Sequence, residues 1–288
     1  MAVRTGTSGW NYEAWKGTFY PGTVAKRRWL EYVSQQLDSV EHNGTFYSMQ
    51  KPDSYRRWHD QTAADFCFSL KGPRYITGQK MLKDVHAPLA NFFASGPLVL
   101  DKKLGPILWQ LPGSLKFDRE RLAAFLQMLP RDTHEAAELA KQHDAKLKTE
   151  PAFGPGTKLR LRHAIEFRHE SWFCDETIKL LRDYNVALVF SDSPGKWPYY
   201  EDVTAGFVYL RLHGSEELYV SNYDEPALER WAERIRAWAA GSEPADAIKA
   251  SDRSPAKRKS RDVYVYFDNT DQGHAPFNAQ RLAAKLSE

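Results

Sequence analysis

Leu161–Trp172 reads LRHAIEFRHESW, and its alternation decides the fold. Ile165 and Phe167 share one parity, while Ala164, Glu166 and Arg168 share the other. Successive side chains of a strand point to opposite faces, so a carboxylate and a guanidinium project together from one face of a buried strand. Burying such a pair is unfavourable unless further hydrogen bonds compensate it. Chains tolerate the arrangement mainly at a strand end where something binds. The plainer alternative is a Glu–Arg ion pair that closes the mouth of a barrel without chemistry.

The other segments follow the same grammar. Arg4–Gly9 and SVEHNGTF (Ser39–Phe46) read as the first two strands. FCFSLK (Phe66–Lys71), PILWQL (Pro106–Leu111), VALVFSD (Val186–Asp192), GFVYLRLHG (Gly206–Gly214) and DVYVYFDN (Asp262–Asn269) read as later ones. Helical spacing places helices between them: Trp29–Leu37, a helix capped by Asp53, one near Pro88–Ser95, Arg119–Leu129 capped by Asp118, Asp175–Tyr184, Pro226–Ala240 and Pro276–Leu286. Strands alternating with helices imply parallel βαβ units. Eight units in 288 residues fit one α/β domain, a TIM-barrel-like (β/α)8 fold of roughly 250 residues. The expected domain is 1–288, with an inserted helical and loop segment at 131–160 and a basic loop at 241–261. A doubly wound sheet is the alternative, but its ligand groups would gather at one switch point. Here polar residues recur at the end of nearly every strand: Glu41, Asn43, Lys71, Gln110, Glu166, Arg168, Asp192, Arg211, His213 and Asp268. Barrel sites are built there. No GxGxxG or Walker loop appears, which further weakens a nucleotide-fold reading.

Composition sets outer bounds. The chain is 42% hydrophobic and 27% charged with net charge +3, a soluble globular balance too weakly basic to argue for nucleic acid by itself. Two cysteines without a CxxC pair suggest a reducing compartment. No apolar signal core or membrane-length stretch is present, so no membrane partner and a cytoplasmic location are expected.

These residues resemble the YecE-like family, also called domain of unknown function 72. The matching segments are GTSGWNYEAWKGTFYP, VEHNGTFY, FSLKGPRYIT, KLGPILWQLP, AIEFRHESW, VYLRLHG and VYVYFDN with the following NAQRL. They extend from Thr5 to Leu282. The resemblance implies a barrel and leaves the activity open. Two departures stand out. His42 and Gly44 replace the isoleucine and serine of the usual VEINSTFY, and Asp268–Asn269 replaces two asparagines.

Two chemistries fit the strand ends. In the first, Lys71, Arg168 and Arg211 hold a phosphate or carboxylate through bidentate contacts, with Glu41, Glu166 or His213 as general acid or base. Asn43, Gln110, Trp172, Asp192 and Asn269 are further candidate ligand contacts. In the second, Glu41, Glu166, Asp192, His213 and Asp268 hold a divalent metal. Two arginines among the ligands would repel a cation, and barrel mouths often bind phosphate, so the anion reading is preferred. Arg168, Asp192 and Arg211 are expected to project toward the barrel axis.

Aromatics follow the strands: Trp10, Tyr12, Trp15, Tyr47, Tyr75, Trp172, Trp197, Tyr199, Tyr219 and Tyr223. Beside basic groups they suit a ligand with flat rings and phosphates, although several can equally be packed covers. KASDRSPAKRKSR (Lys249–Arg261) precedes a strand and therefore belongs at the opposite end as a solvated loop. The expected function is an enzyme, a hydrolase or isomerase, on a phosphate-bearing substrate such as a nucleotide or nucleic acid. The alternatives are a non-catalytic binding protein for such an anionic small molecule or nucleic acid, and a divalent-metal-dependent hydrolase or isomerase.

Overall fold

The computed structural model describes residues 2–287. Eight strands, β1 (Val3–Ser8), β2 (Ser39–His42), β3 (Cys67–Lys71), β4 (Leu104–Gln110), β5 (His163–Glu166), β6 (Ala187–Asp192), β7 (Phe207–Leu212) and β8 (Asp262–Phe267), close into one barrel in sequence order. Every neighbouring pair is parallel, including β1 with β8. Nine α-helices lie among the described residues: α1 (Trp29–Gln36), α2 (Gly44–Tyr47), α3 (Pro52–Gln61), α4 (His86–Ala94), α5 (Arg119–Met128), α6 (Thr133–Ala140), α7 (Asp175–Tyr184), α8 (Glu225–Ala239) and α9 (His274–Ser287). This is the single α/β barrel that the alternation implies.

Local chemistry sets several boundaries. Asp118 caps α5 by accepting from the Arg121 backbone N–H, and Asp224 does the same for α8 through Ala227. Such caps satisfy helix-end donors that lack an intrahelical partner. α7 stops at Asn185, which adopts left-handed geometry at φ 52°, a conformation asparagine tolerates. Two segments differ from the sequence reading. The strand expected over Ser39–Phe46 ends at His42, because the Thr45 hydroxyl reaches the Lys71 carbonyl at 2.7 Å and turns the chain into α2. Pro52 takes the first helical position of α3, which leaves Asp53 in its first turn rather than at its cap.

The sheet divides its residues by parity. Outward side chains such as Val40, Phe68, Ile107, Ile165, Phe190, Leu210 and Val265 pack under the helices in a continuous apolar layer. The interior is unusually polar. Ser39 bonds Tyr266 at 2.7 Å, and Ser69 bonds Tyr209 at 2.9 Å. At the N-terminal end Arg162 pairs with Asp262 at 2.6 Å. Leu108, Ala164, Ala187 and Val189 fill the space between these pairs. The basic loop lies at this same end, where the Arg258 guanidinium sits 3.2 Å from the place a Cβ on Gly206, next to β7, would take. Its last residue, Arg261, is buried and donates to the Ser242 and Ala256 carbonyls. No helix among the described residues is long and apolar enough to cross a membrane.

Candidate active site at the barrel mouth

The top interior layer gathers Ser8, Glu41, Lys71, Gln110, Glu166, Arg211 and Asp268, with Arg168 and His213 just above. Arg211 is the hub, and it is only 1% exposed. Its Nε donates to both Glu41 oxygens at 3.0 and 3.2 Å. One terminal nitrogen donates to Glu166 at 2.9 Å and faces His213 Nε2 at 3.4 Å. The other donates to Glu41 and Asp268, both at 2.9 Å, and lies 3.2 Å from Ser8 Oγ. A guanidinium has five N–H donors, and the protein's own acceptors engage every nitrogen of this one. Arg211, expected to hold a ligand, is instead the cation around which three buried carboxylates assemble.

The carboxylates have further partners. Glu41 accepts from the Ser8 hydroxyl and the Tyr209 hydroxyl, each at 2.7 Å. Glu166 accepts from Arg168 Nε at 2.9 Å, the pairing that the parity of β5 implies. Asp268 Oδ2 lies 2.9 Å from His213 Nδ1. Burial alone would raise the Glu166 carboxyl, but the charges of Arg168 and Arg211 outweigh it and hold the group well below the usual range. Asp268 is lowered to about 2, again against burial, chiefly by Arg211. Burial and the Arg211 charge push His213 below its ordinary value, so it is neutral at pH 7.

Arg168 and Lys71 differ from Arg211 in having donors to spare. Arg168 gives its second bond to Gln110 at 2.9 Å and lays its guanidinium on the Trp197 ring, 3.7 Å from the centroid. Among the described residues its remaining terminal nitrogen has no acceptor. Lys71 is 7% exposed, and its ammonium lies 4.6 Å from the Phe46 ring centroid without an ion pair or hydrogen bond among the described residues. Trp197 also packs edge-on against His213 at 5.1 Å, roofing both.

Three candidates lie elsewhere. Asp192 does not join the cluster. Register pairs Ser191 with Arg211 and Asp192 with Leu212, so Ser191 takes the inward parity and Asp192 the outward one. There Asp192 accepts from the Tyr223 hydroxyl at 2.7 Å, and burial raises its carboxyl. The metal set of Glu166, Asp192, His213 and Asp268 is therefore not assembled. Among the described residues no group of three or more histidine, cysteine, aspartate or glutamate side chains is arranged to hold a metal ion. The Arg211 guanidinium occupies the centre that a cation would need. Trp172 is core: it stacks on Phe167 at 4.7 Å and donates to the Leu115 carbonyl. Asn269 also takes the outward parity and ties Ser221 to Asn278. Asn43 does reach the cluster, donating to Ser8 at 2.8 Å, while its Oδ1 is buried without a partner. Sequence reasoning passed over Ser8 and Tyr209. Tyr209 shares the parity of Arg211 and was findable on that ground, whereas a small hydroxyl such as Ser8 carries no comparable signal.

A cleft of about 780 Å³ opens beside Asn43. Its walls include Trp10, Tyr12, Lys26, Arg27, Arg57 and Trp58, and no acidic residue lines it.

Fold and site define a parallel (β/α)8 barrel whose C-terminal mouth is filled by an arginine-centred charge cluster. The chain matches the family described as protein of unknown function DUF72 over residues 4–288, and it belongs to that family. It is similar to the UPF0759 protein YunF of Bacillus subtilis, 21% identical over 313 residues, covering 99% of this chain and 94% of YunF. The UPF0759 protein YecE of Escherichia coli is 32% identical over 113 residues, which span 38% of this chain and 40% of YecE. Among solved structures, a DUF72 family protein from Thermotoga maritima has 27% identity and a TM-score of 0.74 with both chains fully covered. Another from Enterococcus faecalis shares the fold at 19% identity and a TM-score of 0.66, covering 100% of this chain and 98% of that one.

Proposed function

We propose that this protein is an enzyme acting at the barrel mouth on a phosphate-bearing substrate such as a nucleotide. The observation that carries the reading is the cleft beside Asn43. Among the described residues neither Arg27 nor Arg57 has an ion pair or hydrogen bond, and both line a wall without carboxylates. Guanidiniums left unpaired beside Trp10 and Tyr12 suit phosphate oxygens next to a flat ring or sugar. Asn43, whose buried carbonyl oxygen lacks a partner, adds a polar side chain to the same wall. Elsewhere on the barrel mouth, Arg168 has a free donor for an anionic group. His213, neutral and beside Asp268, is the proton-transfer group.

The test is calorimetry at low salt with inorganic phosphate, nucleoside diphosphates and a short oligonucleotide, followed by a turnover screen on phosphorylated compounds. Nucleotide binding that weakens at least tenfold in R27A/R57A, together with product formation, is expected. Binding without turnover would support the non-catalytic alternative. No binding of any of the three probes removes the reading.

A further inference from the structure

Lys71 ends β3, inside the barrel, at a level where every other charged group is neutralised by the protein. Arg211 is fully bonded, and each of the three carboxylates has at least two partners. The Lys71 amine alone has neither an ion pair nor a hydrogen bond among the described residues, and it lies over an aromatic face. Its position is fixed from below. The Gly72 N–H donates to the Leu108 carbonyl at 2.8 Å, and the Trp109 ring fills the space that a Cβ at Gly72 would take, 2.3 Å away. The backbone on which Lys71 stands is therefore held in place at the top of β3. An ion-pairing lysine would gain by reaching Glu41, Glu166 or Asp268, all of which act on it through space.

We infer that Lys71 is a covalent amine, forming an imine with a carbonyl carbon of the substrate. The inference rests on the anionic-substrate reading above and narrows it to a phosphate-bearing aldehyde or ketone. The step balances without an oxidant. The nitrogen lone pair adds to the carbonyl carbon, and the C=O π pair moves to oxygen, which takes one N–H proton. The carbinolamine hydroxyl then leaves as water with the second N–H proton, and C=N remains. The nucleophile must be the free amine. Burial, aided by the Arg211 charge, lowers Lys71 to about 8, against the opposing pull of Glu41, Glu166 and Asp268. A useful fraction is therefore neutral near physiological pH.

The experiment is reductive trapping of the whole protein with cyanoborohydride and either glycolaldehyde phosphate or neutral glycolaldehyde, read by peptide mass mapping. Lys71 is expected to take label at least tenfold faster than exposed Lys16 and Lys51, with a rate that rises through a midpoint near pH 8. The phosphorylated probe should outpace the neutral one, and R168A should abolish that advantage. Because the internal comparison is made in wild-type protein, it does not depend on a folded Lys71 variant. Equal labelling of Lys71 by both probes keeps the imine and overturns the phosphate reading. Labelling confined to exposed lysines, in protein that still binds phosphate by calorimetry, overturns the imine and leaves the phosphate reading standing.

Discussion

Replacing Arg211 with methionine keeps much of the side-chain length and removes the charge that Glu41, Glu166 and Asp268 share. Each carboxylate retains something: Glu41 keeps Ser8 and Tyr209, Glu166 keeps Arg168, and Asp268 keeps His213. Removing one partner from a buried ion pair typically destabilises by about 3–5 kcal/mol, and the retained contacts argue against more than that. With a melting entropy of about 2.1 cal/mol/K per residue, this predicts a drop of about 5–8 °C for a chain of this length. The pH dependence has a definite sign. In the wild type, Glu166 and Asp268 lie below their unfolded values, so their contribution is present above about pH 4 and lost as pH falls through the folded values. Without the guanidinium the carboxyls move upward and protonate in mild acid, which relieves the repulsion. The stability gap between R211M and wild type is therefore largest at pH 7 and shrinks toward pH 4.5. Urea titrations at the two pH values, with unchanged slopes, measure it. A gap under about 1 kcal/mol at pH 7, or one that is constant down to pH 4.5, would refute the view of Arg211 as the cluster's central cation.

Other outcomes follow from single residues. His42 is half-buried between Trp10 and Trp58, with its enclosed Nε2 lacking a partner, and desolvation pushes it down to about 3. Its neutral form contributes fully above about pH 6.5, and that contribution is lost as pH falls toward 3. H42I should thus flatten the stability curve between pH 6 and 4 by about 1.4 kcal/mol per pH unit. A Cβ at Gly44 would lie 2.7 Å from the His42 ring, so G44S should destabilise the wild type more than H42I, a coupling readable in a double-mutant cycle by urea denaturation. W197A should lose about 0.5–2 kcal/mol of cation–π stabilisation of Arg168, and the cycle with R168A isolates that term. D192N should leave phosphate affinity within twofold by calorimetry, since its side chain points away from the mouth.

Parity carried the sequence reading far. It placed Glu41, Glu166, Arg168, Arg211, His213 and Asp268 on one side of their strands, and closure of the barrel brings them to one point. It failed at VALVFSD, where Ser191 and Asp192 are both polar and only the pairing of β6 with β7 selects which one faces inward. The saturation of Arg211 depends on how eight strands are staggered, and no single segment encodes that. Trp172 illustrates the converse limit. A tryptophan after a strand reads as rim, but Phe117 and Phe167 draw it into the core, and both partners are distinguished from other aromatics only by the fold.

The Ser39–Tyr266 and Ser69–Tyr209 bonds have an evolutionary consequence. Apolar barrel interiors accept exchanges of similar volume, so their positions drift almost independently. Here a tyrosine hydroxyl reaches a serine on a non-adjacent strand, and Tyr209 passes the connection on to Glu41. Ser39 and Ser69 would keep the Cys67 and Pro106 carbonyls and Tyr209 would keep Glu41, but losing Ser39 leaves the buried Tyr266 hydroxyl without its partner. Position 39 is therefore expected to keep a hydroxyl in lineages of this family that keep a tyrosine at 266, whereas 69 and 209 are freer to change one at a time.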